Sequence, residues 1–396
     1  MIYLDFSATS PLLPCAKSAI LKVMELSETS KIGNPSSLHS PGSLSRNILE
    51  NARKTIAKKL NARTTEIIFT SGGSEANNTV INIFRNSTIL ASRIEHPSVL
   101  KPTEKLGNPC IKIPVSKEGF IDKSFLKNKL ETFLQENPKE KILISVMMAN
   151  NEIGTLEPIK ALSKTVEEYR NKGLKNLFLH TDATQAFGKI NIDVKKLKID
   201  YMTISAHKIG GPVGIGALFL RSGTPFAPLI LGGSQENNRR AGTSNALLAE
   251  GFRSAVQYTI DIESEKLFKE KITPLKDFLA KNIKKQIPSS ILLTPNKSLP
   301  NILSFSFPAA EGESTQLYLD LENIAVSTGS ACASGDLEPS HVIMATHNDA
   351  EIAHNSVRFS LGLDTQKSDI DILLDKLPPI INRLQKISTI KTKDVK

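Results

Sequence analysis

The first two thirds of the chain alternate between two patterns of apolar residues. One is a short, nearly continuous apolar or β-branched run, which is typical of a strand covered on both faces of a sheet. The other repeats apolar residues every four positions, as Ile48, Ala52, Ile56 and Leu60 do, and predicts an amphipathic helix. The runs that we interpret as strands are residues 67–70, 89–92, 141–146, 177–180, 201–204 and 217–220.

The alternation of strands and helices predicts an α/β fold with a mostly parallel sheet. Another helix is expected to begin after Pro158, because proline suits the first helical turn, and to run toward Gly173.

The pattern changes after about residue 250, and it predicts a boundary near residue 260. We predict a large domain over 15–260 and a smaller α+β domain over 1–14 and 261–396. The features expected after the change are a long charged helix over 251–287, a strand over 303–307 with one solvent-exposed face, a Ser/Gly/Ala-rich loop over 327–335, a helix over 368–384 and a frayed end over 390–396.

Composition and charge exclude several classes of protein. With 396 residues, 40% hydrophobic and 23% charged, the chain is neither disordered nor a coiled coil. The net charge of +10 alone would suit a nucleic-acid partner, but lysines such as those in 123–129 are spaced as on the solvated face of a helix. Because the chain has 5 tyrosines and no tryptophan, we expect no stable nucleic-acid binding, and transient contact with an RNA or an acidic partner remains open.

The cysteines and the apolar runs indicate the cellular compartment of the protein. Cys15, Cys110 and Cys332 form no C-x-x-C pair, so neither a disulfide framework nor a zinc site is predicted. The first residues are not typical of a signal peptide, and no apolar run approaches the roughly 20 residues that span a bilayer. These features favour a reducing cytoplasm.

Chemically distinctive residues follow several predicted strands. Small residues at 71–75 would let backbone N–H groups approach an anion at a helix N-terminus. His96 and Asp182 end two further strands, and Lys208 follows the strand at 201–204, at the sheet edge where α/β folds bind ligands. Each also has an ordinary alternative: a turn capped by Ser74, a structural histidine, a helix cap and a surface lysine. Together, a phosphate cradle, a stacking histidine, an acid and a lysine predict a pyridoxal phosphate enzyme.

Sequence blocks spread over nearly the whole chain, in order, carry a family resemblance. They are residues 3–9, 33–37, 70–75, 95–96, 150–154, 182–185, 205–208, 240–243, 329–332 and 357–362. The chain resembles cysteine desulfurases of the NifS/IscS type, in the class V aminotransferase superfamily. The resemblance implies a pyridoxal-phosphate-dependent transferase fold, with a mostly parallel seven-stranded sheet in the large domain, and a homodimer.

The resemblance also assigns roles to single residues. Lys208 would bind pyridoxal phosphate as a Schiff base, His96 would stack on the ring and assist at the substrate thiol, and Asp182 would pair with the pyridine nitrogen. Arg358 would bind the substrate carboxylate, with Asn34 nearby. The other implied contacts are Asn151 and Gln185 at the ring oxygen, Asn151 also toward the substrate, Gly73, Ser74, Ser205 and His207 at the phosphate, and Thr243 at the phosphate of a neighbouring subunit.

Cys332 is the residue that decides the reaction. A free cysteine is usually a small buried hydrophobe, which suits Cys15 and Cys110, but the neighbours of Cys332 are small or polar. The implied reaction takes sulfur from L-cysteine, releases alanine and leaves a persulfide on Cys332, because the thiolate is the nucleophile. The sulfur would pass to an acceptor such as an iron–sulfur scaffold, or to other thio-cofactors or tRNA. No resident metal is expected, although Cys332 could transiently ligate an iron–sulfur cluster.

Alternatives and departures from the family pattern remain open. The alternatives are a selenocysteine lyase, a class V aminotransferase and a non-catalytic scaffold protein. Asn237-Asn238 stands where the family usually has Arg-Gly, and Ala345-Thr346-His347 replaces Ala-Leu-Gly. The C-terminal residues show no clear match to a scaffold-docking segment.

Overall fold

The computed structural model describes residues 1–107, 109–329 and 338–388. Two predictions concern residues outside this range, namely the loop around Cys332 and the frayed end at 390–396. The strands are β1 (Ile2–Tyr3), β2 (Ile67–Thr70), β3 (Thr88–Ser92), β4 (Cys110–Ile113), β5 (Ile142–Ser145), β6 (Leu177–Asp182), β7 (Tyr201–Ser205), β8 (Gly216–Leu220), β9 (Ile291–Leu292), β10 (Ile302–Ser306), β11 (Ile324–Ala325) and β12 (Ser356–Ser360).

Helices lie between most of these strands. The α-helices are α1 (Pro14–Glu28), α2 (Ser40–Leu60), α3 (Gly73–Ile83), α4 (Pro97–Lys105), α5 (Lys123–Glu136), α6 (Ile159–Lys172), α7 (Val194–Leu197), α8 (Gln235–Asn238), α9 (Ala246–Asp261), α10 (Ser264–Leu267), α11 (Thr273–Gln286), α12 (Gly312–Leu321), α13 (His341–His347), α14 (Ala350–His354) and α15 (Lys367–Ile387). No helix in the described ranges is long and apolar enough to cross a membrane.

The large sheet has seven strands in the order β2-β8-β7-β6-β5-β3-β4. All neighbours from β7 to β4 are parallel, whereas β8 runs antiparallel to both β7 and β2. The prediction of a mostly parallel seven-stranded sheet is therefore confirmed. Strands β2 and β7 are both antiparallel to β8, so they point in the same direction. The carboxyl ends of β2, β3, β5, β6 and β7 therefore share one edge of the sheet.

Two large apolar clusters form the core of the described residues. The first packs helices such as α2 and α6 on the seven-stranded sheet and includes Ile56, Ile144 and Phe252. The second joins Leu4 to residues from Phe268 to Leu384, around the antiparallel sheet β12-β10-β9. The site described below lies where elements of these two clusters approach one another, since it contains residues of β6, β7 and β12.

The prediction of one long helix over 251–287 is wrong. Helix α9 ends at Asp261, and Glu263 has a left-handed backbone with φ of 47°. A second helical segment begins at Ser264 and passes through a π-helical turn, Phe268–Ile272, before α11. The charged, periodic sequence resembled one helix because neither proline nor glycine marks the break.

The strand near 303–307 is confirmed, but its solvent-exposed face is wrong. Every residue of β10 is buried, including Ser304 and Ser306. The hydroxyl of Ser304 donates to the backbone carbonyl of Glu152 at 2.5 Å. The alternating serines thus lie on a buried face that contacts the chain after β5, rather than on a face in water.

Candidate active site

A cavity opens at the shared carboxyl edge of the large sheet. It is lined by ten of the residues singled out in the sequence: Gly73, Ser74, His96, Asn151, Asp182, Gln185, Ser205, His207, Lys208 and Arg358. Convergence of polar groups at this edge is expected for a ligand site in an α/β fold.

Lys208 lies just after β7 in a short 3-10 turn, Ala206–Ile209. Its Nζ donates to the backbone carbonyls of Ser7 (2.5 Å) and Ala8 (2.7 Å). These two carbonyls come from the N-terminal segment, so residues far apart in sequence hold the amine at the cavity.

Asp182 ends β6 and is held by two donors. The amide of Asn77 donates from Nδ2 to Asp182 Oδ2 at 2.7 Å, and the backbone N–H of Thr184 donates to Oδ1 at 2.8 Å. Asn77 lies on α3, one turn after Gly73, and also donates to the hydroxyl of Ser98 at 2.8 Å. A carboxylate fixed in this way can hold a proton on a ring nitrogen.

His96 precedes α4 and acts as its N-cap. Its Nδ1 accepts from the backbone N–H of Ser98 at 3.1 Å, and the Ser98 hydroxyl lies 2.7 Å from the same nitrogen. Because Nδ1 is an acceptor, the proton of the neutral ring is on Nε2. Burial lowers the pKa of His96, opposed by Asp182 and aided by Lys208 and His341, so the ring is neutral at neutral pH.

Arg358 on β12 joins the second apolar cluster to the site. Its Nη1 donates to the carbonyl of Asn151 and its Nη2 to Asp5 Oδ1, both at 2.9 Å. Its Nε is buried and finds no partner among the described residues.

Several buried polar atoms near the cavity have no hydrogen-bond partner in the part of the chain that the structure describes, so a polar cofactor can be tested for its fit to them. Thr184 Oγ1 and Gln185 Oε1 are buried without a partner among the described residues. At the N-terminus of α3, Gly73 lacks a side chain that would lie 3.1 Å from Thr184 Oγ1, so the backbone there is open to an anion. A phosphorylated pyridine aldehyde would supply acceptors and donors for these groups, so the residues fit pyridoxal phosphate.

Two sequence candidates do not line this cavity. Asn34 is exposed, and its Oδ1 accepts from the N–H of Ser36 at 2.9 Å. Thr243 is also exposed in the single chain, beyond Arg240, which pairs with Glu75. For either residue to act at a cavity, it would have to meet a ligand, a second subunit or a part of the chain outside the described residues.

Sequence reasoning missed three residues that hold the site together. Asn77, Ser98 and Asp5 contact Asp182, His96 and Arg358 respectively. Asp5 lies in residues 3–9, a sequence block that matches the family but to which the resemblance assigned no role.

Asn238 occupies a position where the family usually has glycine. Its φ is 63°, and Asn237 before it also has a left-handed backbone, φ 56°. Asparagine tolerates this region better than most other non-glycine residues, so Asn238 can adopt a conformation that glycine also adopts. Glu236 is fixed by Arg53, whose Nη1 and Nη2 donate to its carboxylate at 2.7 and 2.8 Å. In the other departure, the hydroxyl of Thr346 donates to the carbonyl of Val342, four residues earlier in the same helix, at 3.0 Å.

Comparison with known proteins agrees with this geometry. The family model described as aminotransferase class-V matches residues 2–373.

The chain belongs to the class-V aminotransferase family.

Among curated relatives in this family, "Cysteine desulfurase IscS" of Dictyoglomus turgidum is 46% identical over 98% of this chain and 97% of that protein. "Cysteine desulfurase NifS" of Azotobacter vinelandii is 36% identical over 98% of the chain and 94% of that protein. A solved NifS-like protein from Rickettsia africae superposes with a TM-score of 0.85 at 34% identity, covering 96% of this chain and 99% of that one. The resemblance to the NifS/IscS type and the predicted fold class are confirmed.

The contact between Asn77 and Asp182 yields a prediction for this site. Asn77→Ala removes a buried hydrogen bond to a carboxylate, an interaction worth about 1.5–3 kcal/mol. We expect pyridoxal phosphate to bind roughly ten- to a hundredfold more weakly, measured by equilibrium titration of the cofactor's absorbance. Asn82→Ala, on the same helix but outside this cavity, is the control and should leave affinity unchanged. Equal affinity of the Asn77 variant and wild type would contradict the positioning role.

Proposed function

We propose that this class-V aminotransferase family member is a pyridoxal-phosphate-dependent cysteine desulfurase. In the balanced reaction, L-cysteine and the Cys332 thiol give L-alanine and a persulfide on Cys332. The observation that carries the proposal is the convergence of Lys208, Asp182, His96 and Arg358 on one cavity. Full-length similarity to proteins named cysteine desulfurase supports the choice of reaction.

The cavity offers a distinct group for each part of the cofactor. Lys208 Nζ would bond the aldehyde carbon, Asp182 would hold the pyridine nitrogen protonated, and His96 would cover the ring. Gln185 and Asn151 would contact the ring oxygen side. The phosphate would be held by Gly73, Ser74, Ser205 and His207. Burial, together with Lys208 and Lys189, lowers the pKa of His207 to about 4, so it would act as a neutral donor.

Substrate binding and proton transfer fall to three side chains. When bound, pyridoxal phosphate withdraws electrons from the substrate Cα and makes its proton removable. Lys208 Nζ, held by the Ser7 and Ala8 carbonyls, moves that proton. Arg358 would bind the substrate carboxylate, because it lines the cavity and a guanidinium suits a carboxylate. His96 would assist at the substrate thiol by donating a hydrogen bond from its Nε2–H to the substrate sulfur.

Cys332 distinguishes a desulfurase from other family reactions. Its thiolate would attack the substrate sulfur, forming the new S–S bond while the C–S bond breaks toward the substrate. Lys208 has the same role in an aminotransferase, so only sulfur transfer to Cys332 separates the two. A selenocysteine lyase is the remaining alternative within this family.

We further propose partners and organisation from the same family relation. The acceptor of the persulfide sulfur would be a protein such as an iron–sulfur scaffold, in the cytoplasm. The two apolar clusters support domains at 15–260 and at 1–14 with 261–396, and Leu299 and Ile302 of the second domain pack into the first cluster.

One assay tests the proposed function. The protein is loaded with pyridoxal phosphate, given L-cysteine and a reductant, and assayed for sulfide and alanine. A desulfurase produces them in equal amounts. Sulfide with pyruvate and ammonia would indicate a lyase acting by elimination, and alanine formed only when a keto acid is added would indicate an aminotransferase.

Exposure of Thr243 leads to a prediction about the homodimer. If Thr243 contacts the phosphate bound by a neighbouring subunit, Thr243→Ala should weaken cofactor binding by about tenfold, the loss of one hydrogen bond to a charged group. Thr243→Ser keeps the hydroxyl and is the matched control. Cofactor release on dilution, followed with the oligomeric state by analytical ultracentrifugation, should occur with dissociation of the dimer. A monomer that retains full cofactor affinity would contradict the proposal.

A further inference from the structure

Glu152 is a buried acid to which the mechanism above gives no role. It follows Asn151 after β5, and its side chain is 5% exposed. Both ends of its backbone are fixed, because its N–H donates to Asn150 Oδ1 at 2.8 Å and its carbonyl accepts from the Ser304 hydroxyl at 2.5 Å. The backbone that carries this carboxylate is therefore held by the loop after β5 and by strand β10.

The carboxylate of Glu152 contacts both flanks of the segment that contains Cys332. On one side, the hydroxyl of Ser340 donates to Oε2 at 2.5 Å. On the other, a Cβ added to Gly329 would lie only 2.6 Å from the same oxygen, so the backbone of Gly329 packs directly on it. Gly329 immediately precedes residues 330–337, and Ser340 follows them closely.

Ser340, which contacts Glu152, also caps helix α13. Its hydroxyl oxygen accepts from the N–H of Ile343 at 3.2 Å and caps α13. His341, the first residue of α13, has Nε2 2.9 Å from the carbonyl of Glu95, directly before His96. Glu152 and α13 also line a second cavity, which shares His96 and Asn151 with the cofactor cavity.

We propose that Glu152 is a positioning residue that ties together the two flanks of the Cys332 segment and thereby places Cys332 for attack on the substrate sulfur. The effect on Cys332 rests on the proposed function. The contacts that Glu152 makes with Gly329 and Ser340 do not depend on it.

The surroundings of Glu152 make this tie depend on pH. Burial raises the pKa of Glu152 from 4.5 to about 7, while the Ser340 hydrogen bond and the Arg358 charge act in the opposite direction. Arg358 on β12 is the charged neighbour, and Ser304 on β10 and Ser340 before α13 are the polar ones; His341 is directed to the Glu95 carbonyl. Because the pKa is higher when Glu152 is buried than when it is exposed, the protonated carboxyl group favours the packed state. This contribution to the free energy of opening is fully present below the ordinary pKa and is lost as pH rises toward about 7.

Hydrogen exchange of the backbone amides at 326–329 and 340–343 tests the tie without any need for activity. If opening exposes Glu152 to water, the pKa values of 4.5 and about 7 give about a tenfold larger opening constant at pH 8 than at pH 6. Glu152→Gln can still accept from Ser340 but cannot ionise, so its opening should not change with pH beyond the intrinsic exchange rate. A wild type and a Gln variant with the same pH dependence would overturn the proposal.

Single-turnover persulfide formation tests the consequence for Cys332. Glu152→Ala should slow sulfur transfer to Cys332 by about tenfold or more, because Ser340 loses its acceptor, while the KM for L-cysteine and the cofactor absorbance stay unchanged. Glu152→Gln should restore most of the rate. Gly329→Ala, which displaces the carboxylate without removing it, should slow transfer as well and provides a second test if the Glu152→Ala variant folds poorly.

Glu157→Gln is the matched control for these variants. Glu157 is also buried, and burial also raises its pKa to about 7, but its carboxylate accepts from the N–H of Ile121, away from Gly329 and Ser340. This variant should transfer sulfur like the wild type. If the wild type forms no persulfide, the proposed function fails; if it does and Glu152→Ala forms it equally fast, the positioning role alone fails.

Discussion

Replacing Lys208 with alanine is expected to abolish covalent binding of pyridoxal phosphate and to slow alanine formation from L-cysteine by on the order of a thousandfold. Both losses would have one cause, because in the proposed mechanism the same Nζ bonds the cofactor and moves the substrate proton. The absorbance of the protein after gel filtration measures the first loss, and alanine release measures the second. Lys208→Arg is the matched control, since it keeps a cation that can donate to the Ser7 and Ala8 carbonyls but provides no nucleophilic amine.

A second buried lysine makes the Lys208 test sharper. Lys189 Nζ lies 3.4 Å from the Lys208 carbonyl oxygen and donates to the Gln185 carbonyl at 2.9 Å. Burial, aided by the Lys208 charge, lowers the pKa of Lys189 to about 7, so it too is a chemically competent amine. Borohydride reduction of the loaded protein followed by peptide mapping should place the cofactor on Lys208. A label on Lys189 would contradict the assignment.

The sequence could predict this site because its chemistry follows strand ends. Asp182 ends an apolar strand, and His96 and Lys208 follow within a few residues of two others, and the carboxyl ends of parallel strands meet at one edge. Long-range contacts could not be predicted in this way. The Asp5–Arg358 pair joins residues 353 positions apart, and no local pattern encodes such a pairing.

Burial was harder to predict than secondary structure. Alternating serines in β10 gave the period of a half-exposed strand, yet the structure covers both faces, and one serine hydroxyl contacts Glu152. The break between α9 and α10 was missed for a related reason. Tertiary packing holds Glu263 in a left-handed backbone that its residue type does not favour.

Cys332→Ser should leave the first half of the reaction intact and eliminate sulfur transfer. Lys208, Asp182 and Arg358 are unchanged, so the variant should retain pyridoxal phosphate and still change its absorbance when L-cysteine is added. Serine's hydroxyl is not ionised at neutral pH and cannot accept sulfur as a thiolate does, so alanine formation should fall by on the order of a thousandfold.

The other two cysteines are internal controls for this prediction. Cys15 and Cys110 are both half-buried, and burial raises the pKa of Cys110, which lowers its thiolate fraction. Cys15→Ser and Cys110→Ser should therefore turn over L-cysteine at close to the wild-type rate. Mass spectrometry after brief exposure to L-cysteine should place one added sulfur on the peptide containing Cys332. Sulfur on Cys15 or Cys110, or wild-type turnover by Cys332→Ser, would show that Cys332 is not the sulfur carrier and would favour the aminotransferase or lyase reaction.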